Sequence, residues 1–110
     1  MSNNDSCSAV VVSKDTVGKT AELAGPRLGI FAFVFDGALV VRAVVRSPEE
    51  PTIGKKNPQG INPKDLLLDL IQRPILGPEQ LWLVEYRTQD LNYESVTFPD
   101  ENVKTSVVRV

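Results

Sequence analysis

The chain carries its apolar residues in short, punctuated blocks, a pattern that predicts strands joined by turns rather than long amphipathic helices. The clearest block is double. Residues 28–35 and 38–46 are rich in β-branched and aromatic side chains. Between them stands Asp36-Gly37, a dipeptide that tolerates the positive φ angles of a two-residue hairpin turn. With that turn Phe35 pairs with Ala38, Phe33 with Val40 and Phe31 with Arg42, all on one face. Ile30, Ala32, Val34, Leu39, Val41 and Ala43 make the other. A half-exposed ribbon alternates apolar with polar residues, but here both faces are apolar apart from Arg42 and Arg46, so both need cover. The small aliphatic face suits close packing under the leucine stripe of the helix expected at 62–73. The phenylalanine face fits three roles: core between two sheets, homodimer interface, or wall of a ligand cavity.

The remaining segments are read in the same way. Residues 1–8 are small and polar and are expected to form a flexible tail, leaving 9–110 as a single globular domain that opens with a strand at 9–13. Residues 14–23 suit a turn or a short helical turn, closed by Gly25-Pro26. Residues 47–61 hold three prolines and two glycines with no periodicity and are expected to be a loop. Asn62 as N-cap, Pro63 at the first helical position and Asp65 in the first turn then predict a helix over 62–73. It has Leu66, Leu67, Leu70 and Ile71 on one stripe, an Asp69–Arg73 pair across one turn, and Pro74 as the stop. Residues 80–88 alternate as a strand, with Trp82, Val84 and Tyr86 on one side and Leu81, Leu83, Glu85 and Arg87 on the other. Residues 93–98 and 103–110 are two further strands around a turn at 99–102, which suggests a C-terminal β-meander. The expected fold class is α+β: mostly antiparallel, about five to six strands in a sandwich or barrel-like arrangement, with one short helix near 62–73.

Composition narrows the function more than the fold. With 110 residues, 42% hydrophobic and 24% charged, the chain has the makings of one ordinary globular domain. No apolar run approaches the length of a membrane span, and a single cysteine, Cys7, forms no internal disulfide, which points to a reducing, cytoplasmic setting. There is no histidine. The usual zinc, haem and Cys/His catalytic sites are therefore out of reach, and no catalytic residue, metal ligand or cofactor is expected. Twelve basic residues against 14 acidic ones, a net charge of −2, and no basic cluster beyond Lys55-Lys56 argue against nucleic acid as a partner.

Three motifs carry candidate chemistry. Gly18-Lys19-Thr20 ends like a phosphate-binding loop, but Ser13 stands where such a loop opens on glycine, and Gly25-Pro26 cuts the helix that should follow, so an ordinary polar turn explains it better. The carboxylate pairs Glu49-Glu50 and Asp100-Glu101 sit in proline-containing turns, where solvation leaves little to perturb a pKa. Glu85 and Arg87 share a strand face and, with Trp82 and Tyr86, are candidates to line an apolar pocket between sheet and helix. Two functions follow. The first is a non-enzymatic binding or assembly module, a homodimer that uses a hydrophobic β-surface or strand edge for protein contact, with Phe31, Phe33, Phe35, Val40 and Arg42 as the interface. The alternative is a small enzyme or ligand carrier built around that pocket.

Overall fold

The computed structural model describes residues 5–12, 29–72 and 77–109. Its strands are β1 (Ser6–Val11), β2 (Gly29–Phe35), β3 (Ala38–Ser47), β4 (Thr52–Lys55), β5 (Asp65–Ile71), β6 (Gln80–Thr88), β7 (Ser95–Phe98) and β8 (Val103–Val108). They form one eight-stranded sheet in the order β1-β6-β3-β2-β8-β7-β5-β4. Most neighbours are antiparallel, but β2 with β8 and β5 with β7 run parallel. The sheet curls until it is nearly closed, bringing the two end strands beside one another, where the backbone N–H of Ile53 in β4 donates to Cys7 Sγ in β1 at 3.3 Å.

The hairpin forms as its residues dictate. Asp36 and Gly37 take φ angles of 53° and 74°, and Phe35↔Ala38, Phe33↔Val40 and Phe31↔Arg42 are the observed pairs. Of its two apolar faces the aliphatic one turns inward. Ala32, Leu39, Val41, Ala43 and Val45 pack with Val84 and Tyr86 of β6, Leu66 and Leu68 of β5, Ile53 of β4, and Val96 and Phe98 of β7. Small residues at 32 and 43 suit the inside of a narrow barrel, where facing side chains must share limited width.

The α+β expectation is corrected by this architecture, which has eight strands rather than five or six and no α-helix among the described residues. The segment expected to be a helix near 62–73 is β5. Leu66, Leu68 and Leu70 point to the core while Asp65, Leu67, Asp69 and Ile71 face out. In DLLLDLI three consecutive leucines satisfy a period of two as well as one of 3.6, and pairing with β4 and β7 on either side decides between them. The supposed N-cap is a turn instead: Asn62 Oδ1 accepts from the Lys64 N–H at 3.0 Å and the Asp65 N–H donates to Asn62 O at 3.2 Å.

Other expectations shift with it. The loop at 47–61 contains β4, and β1 begins at Ser6, inside the stretch expected to be a flexible tail, because Ser6–Val11 pair with Arg87–Trp82 of β6. The C-terminal meander does not form. β6 lies between β1 and β3, while β7 and β8 make their own antiparallel pair around a 3-10 turn at Pro99–Glu101, closed by Asn102 at a φ of 56°. The phosphate-loop-like stretch at 13–20, the Gly25-Pro26 stop, Arg73 and Pro74 lie outside the described residues.

Candidate functional site

Once the aliphatic face of the hairpin has been spent on the core, the phenylalanine face is left on the outside of the barrel. Phe31 and Phe35 are 63% and 62% exposed, Phe33 between them is partly buried, and Val108 of β8, the parallel partner of Phe33, is 59% exposed. Val40 belongs to the same outer row, since it pairs with Phe33 on one side and Arg87 on the other, yet it is buried. Exposed aromatic residues gathered on one stripe are unusual on a surface that meets only water.

The polar part of this face is a three-residue cluster across β3 and β6. Arg42 Nε donates to Glu85 Oε1 at 2.9 Å, Arg87 Nε donates to Glu85 Oε2 at 2.7 Å, and the Arg42 guanidinium lies 5.1 Å from the centre of the Phe33 ring. The Arg87 hydrogen bond holds the Glu85 carboxyl below its ordinary value; partial burial opposes this and Arg42 adds to it. One carboxylate thus serves two guanidinium groups through their Nε atoms. The cluster keeps a net charge of +1, and its terminal Nη donors make no further bonds with described residues.

The proposed pocket is not assembled from its four residues. Trp82 and Tyr86 point into the barrel and Glu85 and Arg87 away from it, so the sheet itself separates the aromatic pair from the charged pair, and among the described residues no α-helix stands opposite to close a cavity. Trp82 spends its indole N–H on Ser47 O at 3.0 Å. Tyr86, 2% exposed, donates its hydroxyl proton to the carboxylate of Asp5, and burial followed by Asp5 pushes the phenol well above its ordinary range. A phenol held protonated in this way is a structural donor rather than a base. Lys55 lies 6.0 Å from the Tyr93 ring near the same region, and Lys56 pairs with Asp69 at 3.3 Å and Asp100 at 3.7 Å. Among the described residues no group of three or more acidic, cysteine or histidine side chains is placed to hold a metal ion.

Two participants escaped the sequence pattern. Asp5 sits in a polar leader with nothing to mark its contact, and Val108 joins the phenylalanine stripe only through the parallel β2–β8 pairing, which has no local signature. No protein-family model, curated protein or solved structure matches the chain, so its function has to be argued from this surface.

Proposed function

We propose that the chain is a non-enzymatic binding or assembly module that meets protein through the outer face of the β2–β3 hairpin, with a second copy of itself as the partner. The observation that carries this is the exposure of Phe31 and Phe35 on one stripe beside Val108. Covering a phenylalanine that is two-thirds exposed is worth roughly 1–2 kcal/mol, so the four exposed rings of a dimer supply several kcal/mol toward association. Set against an association cost of roughly 4–15 kcal/mol, that favours a weak dimer, micromolar or looser. The arginine–glutamate cluster at the margin of the stripe gives a polar rim of the kind protein interfaces carry.

Sedimentation velocity over a dilution series tests the proposal. The expected result is a concentration-dependent dimer for the wild type and, for Phe31→Asp, a monomer with an unchanged circular dichroism spectrum, because a carboxylate in the contact is desolvated without a partner. A wild type that stays monomeric into the high micromolar range, or a Phe31→Asp variant that assembles like the wild type, rules the proposal out.

A further inference from the structure

The stripe has a symmetry of its own. Phe33 is partly buried at the centre, and Phe31 and Phe35, two residues to either side, are exposed to the same extent, 63% and 62%. Charge is distributed oppositely about that centre. Arg42, which shares Glu85 with Arg87 in a cluster of net charge +1, flanks Phe31 at one end, and Asp36 lies just past Phe35 at the other, in the hairpin turn, where its carboxylate has no ion pair with a described residue. A stripe that is apolar in the middle, cationic at one end and anionic at the other is complementary to a copy of itself laid antiparallel.

We infer that the homodimer is isologous and antiparallel, with the two β2 strands packed face to face and a two-fold axis running across them at the level of Phe33. This rests on the homodimer proposed above and adds its geometry. Phe33 then stacks on Phe33 of the partner subunit, Phe31 meets the partner's Phe35, and Arg42 reaches the partner's Asp36, each contact occurring twice as two-fold symmetry demands. Val108, level with Phe33 on the neighbouring strand, also falls near the axis and meets its own copy. Barrel surfaces are convex, so contact is confined to β2 and the strands beside it. That curvature carries Arg87, on β6, away from its own counterpart. A parallel arrangement of the two β2 strands would leave Asp36 of each copy away from Arg42 of the other.

Cross-linking between single cysteines tests the geometry in full-length protein carrying Cys7→Ser. Opposed positions in packed sheets have backbones about 10 Å apart, whereas Phe31 and its own copy are displaced by four residues, roughly 13 Å, along the strands. With a short bis-maleimide, Phe33→Cys is expected to cross-link to itself. Phe31→Cys and Phe35→Cys are expected to cross-link poorly alone and well when mixed. Asp36→Asn keeps a residue suited to the positive φ of the turn, and is expected to lower the dimerisation constant about fivefold, since two rim ion pairs are lost. Adding salt should lower the wild-type constant but have less effect on that variant.

The outcomes separate the two claims. A dimer that sediments as such but cross-links Phe31→Cys to itself and not to Phe35→Cys overturns the antiparallel geometry and leaves the homodimer standing. A dimer with none of these cross-links, and with Asp36→Asn unchanged in affinity, places the interface elsewhere and overturns the geometry too. A strict monomer overturns both.

Discussion

The side-chain amide of Gln59 pairs with the backbone of Leu67 from both sides: Nε2 donates to Leu67 O at 2.8 Å, and the Leu67 N–H donates to Oε1 at 2.9 Å. β4 ends at Lys55, and Gln59 extends its ladder along β5 with a side chain in place of a strand residue. The same Nε2 also donates to Lys56 O at 2.6 Å, which folds residues 56–59 back against β5. Each such bond is worth roughly 0.5–1.5 kcal/mol net, so Gln59→Ala is expected to cost about 2 kcal/mol in denaturant unfolding. Amide exchange should accelerate at Leu67 while the β3–β6 amides keep their protection. An unaltered Leu67 exchange rate would show that the side chain contributes nothing to that edge.

Tyr86 and Asp5 tie the first described residue to the barrel interior. Tyr86→Phe is expected to lower stability by about 1 kcal/mol at neutral pH. It also changes the alkaline response, with the following sign. Burial and Asp5 raise the Tyr86 pKa in the folded chain, so its contribution is fully present below the ordinary value of 10.0. Above that value the unfolded chain loses the proton and the folded chain keeps it, so stability falls as pH rises, at up to about 1.4 kcal/mol per pH unit for one proton. Unfolding free energies measured from pH 9 to 11 should therefore converge for wild type and Tyr86→Phe. Parallel curves would mean that Tyr86 ionises as it does in the unfolded chain.

Glu85 shows the opposite linkage. Its pKa is lowered in the folded state by Arg87 and Arg42 against the opposing effect of burial. The stability it adds is thus present above its ordinary value of 4.5 and lost as pH falls through the folded value. Glu85→Gln is expected to cost up to about 1 kcal/mol at pH 7, a partly exposed pair being worth little more. The cost should vanish in strong acid, where both chains carry a neutral group at position 85. A difference that persists at pH 2 would point to packing rather than charge.

Leu67 and Leu68 are adjacent, but only Leu68 is fully buried, at 0% exposure. A helix over this segment would bury Leu67 on its stripe and leave Leu68 off it; the strand does the reverse. Leu68→Ala is expected to cost about 3 kcal/mol and Leu67→Ala about 1 kcal/mol, from the lost transfer energy plus the cavity left in a closed core. Thermal unfolding of the two variants decides the matter, and the opposite ranking would restore the helix.

What the amino acids determined alone was local. Asp36-Gly37 sets the turn, the turn sets the register, and the register places Phe31, Phe33 and Phe35 on one stripe with Val40 and Arg42 opposite. The alternation at Gln80–Thr88 likewise defines β6 and separates Trp82 and Tyr86 from Glu85 and Arg87. In both segments the local pattern is unambiguous; the hairpin's partners are also neighbours in the chain, whereas β6 pairs with the distant strands β1 and β3. At Asp65–Ile71 the local pattern is ambiguous, because three consecutive leucines fit a helix or a strand equally well. Asp65 illustrates what tips the balance: its carboxylate accepts from Ser95 and Thr97 on β7 at 2.8 Å, a contact across 30 residues of chain that no local pattern announces. Which face of the hairpin becomes core was settled in the same non-local way. Both faces are apolar, and only the closing of the sheet gave the narrow interior to the small aliphatic side chains and left the phenylalanines outside.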